Sequence, residues 1–410
     1  MVLAGFVFLS GTNWGLPGAW VNQFLFADRR AWSGREVLDR LGQLEGNGLG
    51  ADVDPNPIDR DASSSIIVNG TDSQRAEIVA RYRLYSAQPD EMITFRALST
   101  IASHRGDPRL YQYGGLWVYP IGALLKLSSM IGLVDLRADR EFYLDHPHQF
   151  ARFYIVARLY TVAFALAGVW AVFWIGRRIG GSNAVGALSA LAYILLPVVV
   201  NMAHEAKPHL PAAVLILLAA IAATRFVDSG ATRWWMLAAV LCGAAMSMVL
   251  SAFWGMAILP AMFILRRAPV RVLAASVAVC VGTYGVCNPF VMIHLLGERT
   301  VLFSNLANSR AMYAAGFGGF ANAVRLLSDA TTPAILVTGL AVAIIAMRKR
   351  SPIMCLLCAP GILVLGQFVL FAQAKPGEYA RFALLPAIIL AIASTAGLLS
   401  MARATWLTRS

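Results

Sequence analysis

The sequence predicts an all-α polytopic membrane protein with a large loop on one side of the membrane. Hydrophobic residues make up 58% of the chain and charged residues only 14%, and the mean hydropathy is +0.63. A membrane-spanning helix needs roughly 20 predominantly apolar residues, and about ten stretches of this chain approach that pattern. The 410 residues are therefore expected to form one helical bundle rather than two or three soluble domains.

The predicted spans are apolar stretches that carry their charges near the ends. We place them at 1–12, 152–176, 183–203, 209–227, 234–250, 251–265, 270–292, 332–347, 352–373 and 381–401. The first is too short for a full span, and we interpret it as the end of a first helix. The bundle and its outer loop are expected to form a single domain, 1–401, followed by a cytoplasmic tail, 402–410.

The distribution of charge predicts the orientation in the membrane. If the apolar stretch 114–134 does not cross, one side carries twelve basic residues and a single acid, Asp228, and the other acids lie opposite. Because basic loops mark the cytoplasmic side, we expect both termini inside and 114–134 in the outer interface as one or two amphipathic helices. The net charge of +12 would suit a nucleic-acid partner, but this sided distribution excludes that class.

Residues 13–151 then form one outer loop between the first two spans. Helical periodicity is present at 30–45 and 74–104, and the Gly, Asp, Pro, Ser and Asn residues of 46–72 predict an irregular loop. The expected location is a plasma (inner) membrane of multi-pass topology, with this loop facing the periplasm or the exterior.

Within that loop, Asp90 and Glu91 are adjacent carboxylates that follow Pro89. A proline at the start and acids in the first turn are ordinary signals for a helix N-terminus, which favours a capped surface helix. The alternative is that Asp90 faces the membrane as a general base, because transfer of a sugar to a hydroxyl needs a carboxylate to accept the proton.

A second cluster lies in the very short loop 204–209, between two predicted spans. His204, Glu205, Lys207 and His209 place one acid, one base and two imidazoles at the outer surface. Short loops often collect charge simply because they turn in water. The functional alternative is that Lys207 binds a lipid-linked phosphate. A metal site at His204, Glu205 and His209 is a weaker interpretation of the same residues, and a divalent metal cofactor is left open.

Three further residues are candidates for binding a donor. Arg381 opens the last span and either anchors it in the headgroups or contacts a phosphate with its planar fork. Arg158 lies about two turns into its span, where an ionisable residue suggests function, although snorkelling to the interface is feasible. Tyr113 is placed at headgroup depth in the aromatic stretch before 114–134.

Taken in order, these motifs resemble the GT-C superfamily of membrane glycosyltransferases, in particular the protein mannosyltransferase and aminoarabinose transferase branch. The resemblance covers most of residues 85–400. The Asp-Glu motif is Pro89-Asp90-Glu91, and the juxtamembrane stretch runs from Tyr113 to Leu125. The second span has an early arginine, Arg158, and ends in Gly176-Arg177-Arg178. The short second loop is 204–209, and the late arginine followed by Leu-Leu-Pro lies in the stretch from Arg381 to Pro386.

The resemblance implies an enzyme that moves a sugar from a polyprenyl-phosphate donor to an acceptor hydroxyl or amine at the outer face. It implies Asp90 as the base and Glu91 as a catalytic partner that positions Asp90 or a metal. It also implies Lys207, Arg381, Arg158, Tyr113, His204, Glu205 and His209 as donor-binding residues. The acceptor class stays open among lipid, protein and polysaccharide.

This chain departs from the family pattern in two places. Roughly 75 residues separate the first span from Asp90 where the family has a short link. His209 stands where the family has an acid in the second loop, and the nearest acid is Glu205.

Two other classes of protein are open at this point. A transporter is expected to show paired repeats or broken helices with charges near the midplane. A non-catalytic envelope assembly protein would tolerate a degenerate second loop.

Overall fold

The computed structural model describes residues 1–27, 29–46, 71–310 and 313–400. Across these ranges the regular secondary structure is helical, and the only strand-like pairing is an isolated bridge between Tyr113 and Val249. This agrees with the predicted all-α class. The greater part of the predicted loop 46–72 and the whole predicted tail 402–410 lie outside the described residues.

In the described part of residues 1–146, the helices are too short to cross a bilayer. They comprise α1 (Val2–Ser10), α2 (Asn22–Phe26), α3 (Gly34–Gly46), α4 (Asp72–Leu84), a 3-10 turn (Pro89–Glu91), α5 (Met92–Thr100), α6 (Gly115–Met130) and α7 (Arg140–Asp145).

The remaining chain contains the long apolar helices of the bundle. In order they are α8 (Pro147–Gly180), α9 (Asn183–Leu195), α10 (Pro197–Ala203), α11 (His209–Ser229), α12 (Thr232–Met248), a 3-10 segment (Leu250–Ala257), α13 (Ile258–Arg266), α14 (Val270–Cys287), α15 (Pro289–Leu296), α16 (Arg299–Arg310), α17 (Phe320–Thr331), α18 (Pro333–Arg348), α19 (Pro352–Phe371), two 3-10 turns (Lys375–Glu378 and Ala380–Ala383), α20 (Leu384–Ile392) and a π-helical end (Ala393–Gly397).

Five of the described helical segments are long and apolar enough to cross a membrane, which makes this a multi-pass membrane protein. The number rises to seven if the bent pairs α9–α10 and α17–α18 each count as one span. Each of these two bends occurs at a proline, Pro197 or Pro333, because proline disfavours the helical conformation of the residue before it. The ten-span arrangement stays a prediction, since α1, α12 and α13 are shorter than this length.

A proline also divides the helix expected over 74–104. Gln88, which precedes Pro89, is extended, with φ −103° and ψ 96°, and α4 has already ended at Leu84. The chain resumes as the 3-10 turn Pro89–Glu91 and then as α5. The break places Asp90 and Glu91 in a tight turn at the top of the bundle instead of on the side of a long helix.

The two ends of the bundle differ in charge. At one end the C-termini of α8, α11 and α13 meet: Arg178 forms an ion pair with Asp228 at 2.9 Å, and Arg266 donates to the carbonyl of Val227 at 3.0 Å. We call this the basic end. The end that contains Asp90 is called the Asp90 end, and the turns between α10 and α11 and between α19 and α20 both lie there.

Helix α6 corresponds to the stretch expected in the interface. Its N-terminus is fixed to the bundle because Gly114 N–H donates to Met248 O at 3.0 Å and Gly115 N–H to Asn288 Oδ1 at 2.8 Å. The Trp117 side chain is fully buried, whereas Met130, where the helix ends, is 74% exposed. With 16 residues, α6 is not among the candidate spans, and its interfacial position stays a prediction.

We predict that the basic end faces the cytoplasm. In a variant that lacks the native cysteines, Ser182→Cys and Ser351→Cys at that end are expected to resist an impermeant thiol reagent in intact cells. Ser103→Cys, at an exposed position before α6, is the matched control and is expected to react. Labelling at both Ser182→Cys and Ser351→Cys would show that the orientation is inverted.

Candidate functional site

A fully buried ion pair lies at the base of the site. Arg158 of α8 donates from Nε to Glu91 Oε1 at 3.0 Å and from Nη2 to Glu91 Oε2 at 2.8 Å, and both side chains are 0% exposed. Such a two-point contact is the geometry in which a guanidinium and a carboxylate interact most strongly.

The same pair connects four segments of the chain. Arg158 Nη1 donates to the carbonyls of Thr12 and Trp14 at 2.9 and 2.6 Å, just after α1. Glu91 Oε1 accepts the backbone N–H of Ala206 at 2.5 Å, and its Oε2 accepts the hydroxyl of Ser86. Arg158 and Glu91 thus fix the loop 204–209 beside the turn that carries Asp90. Four of the five N–H donors of Arg158 are used in these contacts, and its expected role in donor binding stays a prediction.

Asp90, the neighbour of Glu91, points the other way and is 21% exposed. Its Oδ2 lies 2.9 Å from Arg381 Nη1 and 3.5 Å from Lys207 Nζ. These contacts bring the loop 204–209 and the Arg381 segment together beside Asp90.

Lys207 is 1% exposed and is surrounded by oxygen atoms. Besides Asp90, its ammonium lies 3.0 Å from Glu205 Oε2 and donates to Gln88 Oε1 at 3.4 Å. A buried ammonium is costly unless it is paired and hydrogen-bonded, and these three neighbours satisfy that requirement.

The two carboxylates that contact Lys207 differ in their proton affinity. Burial acts to raise the pKa of Asp90, but the Arg381 guanidinium and the Lys207 ammonium outweigh it, so that the pKa lies below its usual value. Burial raises the pKa of Glu205 above its usual value, although the Lys207 ammonium partly offsets this. The two cations thus favour the ionised form of Asp90, which lies at the surface of the site.

Arg381 is held between aromatic rings, with its guanidinium carbon 4.2 Å from the centre of the Tyr379 ring and 5.3 Å from that of Phe382. Its Nε is buried and has no hydrogen-bond partner among the described residues. Because a guanidinium can only donate, this nitrogen is available to an oxygen of a ligand.

Tyr113 and His209 line the same region without contacting Asp90 directly. The Tyr113 ring is 8% exposed and lies edge-on to His209, with ring centres 6.1 Å apart, and His209 in turn lies 5.9 Å from Phe382. Burial raises the pKa of Tyr113 beyond its usual range, so it stays a neutral hydrogen-bonding group.

A partly open apolar cleft lies beside Arg381 and has a cavity volume of about 60 Å³. Its walls come mainly from α11, α19 and the start of α20, and include Ile216, Phe368, Phe371, Leu384 and Leu385. His209 and Arg381 stand among these apolar side chains. The cleft therefore presents an apolar surface next to the Arg381 guanidinium.

His204 lies apart from this arrangement. Its Nε2–H donates to the carbonyl of Val7 in α1 at 2.9 Å, which makes it a contact between α1 and the loop 204–209. Within the part of the chain that the structure describes, no group of three His, Cys, Asp or Glu side chains is arranged to hold a metal ion.

Sequence reasoning did not single out Ser86, Gln88, Tyr379 and Phe382. Ser86 and Gln88 lie just before the Asp-Glu pair, and the two aromatic residues flank Arg381 within two positions. The one signal that could have identified these four residues is that each lies close in sequence to a candidate site residue.

Comparisons with solved structures identify the fold. The crystal structure of ArnT from Cupriavidus metallidurans bound to undecaprenyl phosphate superposes with a TM-score of 0.54 at 14% identity, covering 78% of this chain and 58% of that one. The apo structure of the same protein gives 0.50 at 15% identity, covering 80% and 58%. This chain has the GT-C membrane fold.

The GT-C resemblance expected from the motifs is thus confirmed at the level of the fold. The archaeal oligosaccharyltransferase AglB from Archaeoglobus fulgidus, solved with an inhibitory peptide and a dolichol-phosphate, superposes more weakly, with a TM-score of 0.46 at 13% identity over 81% of this chain and 50% of that one. The chain spans less than two thirds of the length of these structures. No family model and no curated protein matches the sequence.

We predict that Arg158→Gln lowers the stability of this GT-C fold by about 3–5 kcal/mol, because it leaves the Glu91 carboxylate buried without its cation. Arg178→Gln is the matched control: its ion pair with Asp228 is about half exposed, and such pairs contribute about 0–1 kcal/mol. Thermal unfolding of the purified variants in one detergent measures both. Equal effects of the two substitutions would contradict the anchoring role of Arg158.

Proposed function

We propose that this chain is an integral-membrane glycosyltransferase that moves a sugar from a polyprenyl-phosphate donor to an acceptor hydroxyl or amine at the outer face of the membrane. The observation that carries the proposal is the meeting of one partly exposed carboxylate, Asp90, with two cations, Lys207 and Arg381, beside an apolar cleft. Transfer from a phosphate-linked sugar needs a base for the acceptor and cations for the departing phosphate.

The cleft and Arg381 support a donor with an apolar chain and a phosphate head. The apolar walls suit a polyprenyl tail, and the free Nε of Arg381 suits a phosphate oxygen. The superposed ArnT structure holds undecaprenyl phosphate, which supports a ligand of this class here.

In the proposed reaction, the two cations stabilise the leaving phosphate and Asp90 accepts the proton of the acceptor. The acceptor oxygen or nitrogen forms a bond to the anomeric carbon while the bond from that carbon to the phosphate oxygen breaks. The electron pair of the broken bond leaves with the phosphate, whose charge Lys207 and Arg381 stabilise. The acceptor proton passes to Asp90, whose carboxylate is ionised because its pKa is lowered by its two cations.

The placement of the buried charges argues against a transporter. In the described ranges, the charged side chains that are buried all lie at the Asp90 end or in the segments that pack on it: Arg83, Glu91, Asp107, Arg158, Glu205 and Lys207. A transporter is expected to place such residues near the midplane of its spans.

We predict that Asp90→Asn reduces sugar transfer about 10²–10⁴-fold, because the amide keeps the shape of the side chain and removes its basicity. Transfer is measured in membrane extracts with labelled polyprenyl-phosphate sugars, and donor binding is expected to stay within a few-fold. Asp135→Asn, an exposed acid that pairs with Arg137, is the control and is expected to leave transfer unchanged. Near-normal transfer by Asp90→Asn would make Asp90 a capping residue.

We predict that Arg381→Gln and Lys207→Gln each weaken the binding of undecaprenyl phosphate about tenfold or more. A hydrogen bond to a charged group contributes about 1.5–3 kcal/mol, and 1.4 kcal/mol is a factor of ten in affinity. Binding is measured on the protein in lipid nanodiscs. Arg325→Gln, an exposed arginine of α17 that bonds Asn322, is the matched control. If all three variants bind alike, Lys207 and Arg381 do not hold the donor phosphate.

A further inference from the structure

A second pocket lies in the segment that precedes Asp90, where the GT-C resemblance predicts only a short link. It has a volume of about 290 Å³ and is open to solvent. Its polar lining comes from α2, the connection between α2 and α3, α4 and the end of α7, with these side chains contributing: Asn22, Arg30, Trp32, Ser33, Arg83 and Asp145.

Arg83 gives this pocket a buried donor that is only partly satisfied. The side chain is 4% exposed, and Nη1 donates to the carbonyls of Trp32 and Leu144 at 2.9 and 3.2 Å, while Nη2 donates to Asn22 Oδ1 at 3.1 Å. Among the described residues its Nε has no hydrogen-bond partner, and Asp145, which also lines the pocket, is the acid that acts on its charge. A buried unsatisfied donor costs about 1–3 kcal/mol, which a ligand oxygen would relieve.

The other charged side chains of the pocket also have partners. Arg30 pairs at 2.9 Å with Glu36 in a contact that is largely exposed, and Asp145 Oδ1 accepts the N–H of Gly34 at 2.6 Å. Two guanidiniums, one carboxylate and one amide therefore offer both donors and acceptors. This mixture suits a ligand with several hydroxyl groups better than a simple anion.

An exposed aromatic surface adjoins the pocket. Trp20, between the pocket residues Ala19 and Asn22, meets Phe24 and Tyr82 edge-on, with ring centres 6.1 and 5.0 Å away. These rings are 55%, 69% and 38% exposed respectively. Exposed aromatic clusters of this kind mark binding surfaces, and flat rings contact the C–H faces of sugars well.

With α8 upright in the membrane, the pocket lies above the headgroup layer, which argues against a phospholipid headgroup as its ligand. From Arg158 to Arg177, α8 rises about 28 Å, close to the roughly 30 Å thickness of the hydrocarbon core, so Arg158 lies at the outer edge of the core. Pro147, which lines the pocket, lies about 16 Å further out along the helix. The interfacial layer is only about 5–7 Å deep on each side.

We propose that this pocket and the rings of Trp20, Phe24 and Tyr82 bind a sugar unit of an oligosaccharide acceptor. A ring hydroxyl or carboxylate oxygen accepts from Arg83, further hydroxyls bond Asn22 and Asp145, and neighbouring units lie on the aromatic surface. The pocket stands about 16 Å beyond Arg158, a separation that several linked sugars span, so the acceptor end reaches Asp90. This proposal rests on the proposed function, and it specifies that the acceptor of the transferred sugar is an oligosaccharide.

The test is retention of oligosaccharides by the full-length protein in nanodiscs. The probe is the mixture of oligosaccharides that mild acid releases from the envelope polysaccharides of the source organism. The oligosaccharides that the protein retains are quantified by mass spectrometry. Trp20→Ala and Phe24→Ala are expected to retain about tenfold less than the wild-type protein, and Arg83→Gln less still. Because Arg83 is buried and its variant can misfold, the two exposed aromatic positions provide the decisive comparison.

Phe303→Ala, at an aromatic side chain of α16 that is 64% exposed, is the matched control and is expected to retain normal amounts. Asp90→Asn is also expected to retain oligosaccharide while losing transfer, which separates a failure of this proposal from a failure of the proposed function. No retention by the wild-type protein, equal retention by Trp20→Ala, or binding of inorganic phosphate without any oligosaccharide would each overturn the proposal.

Discussion

The buried pair of Arg158 and Glu91 is the interaction on which the site depends. Moving two charges out of water is costly, and only good geometry with further hydrogen bonds compensates. Here the guanidinium has two carboxylate oxygens and two backbone carbonyls as acceptors, and the carboxylate also accepts from Ser86 and Ala206. Because these partners belong to segments far apart in sequence, the pair fixes their relative positions.

The tight turn after Pro89 then gives two adjacent carboxylates different roles. Glu91 points inward and is fully buried, whereas Asp90 points to the surface of the site and is 21% exposed. The backbone N–H of Ala206 that bonds Glu91 lies one residue before Lys207. The anchor of the fold therefore also sets the distance between the carboxylate and the ammonium of the proposed chemistry.

Features with a strong local or compositional signal could be predicted from the sequence. The apolar stretches located the main helices, and the motifs singled out Asp90, the loop 204–209 and Arg381 as candidate site residues. The partner of Arg158 could not be predicted, because Glu91 lies 67 positions away and the choice between Glu91 and Asp90 depends on a single turn. Burial of both side chains, which decides that choice, has no signature in the local sequence.

The breaks in the helices were also beyond the sequence pattern. Apolar periodicity continues across Leu196, so 183–203 resembled an ordinary span, whereas the structure bends there by 63°. A proline predicts a probable boundary but not the angle. Similarly, the polar pocket around Arg83 is built by contacts between α2, α3, α4 and α7, which no periodicity in one segment reveals.

The balance of charges in the site affects the strength of Asp90 as a base. Without a donor, the two carboxylates Asp90 and Glu205 face the two cations Lys207 and Arg381, and the cations hold the pKa of Asp90 low. A carboxylate with a low pKa is a weak base. Under the proposed function, an arriving phosphate competes for the same two cations and reduces their hold on Asp90. The pKa of Asp90 then rises, so the base becomes stronger when the donor is in place and stays weak when it is absent.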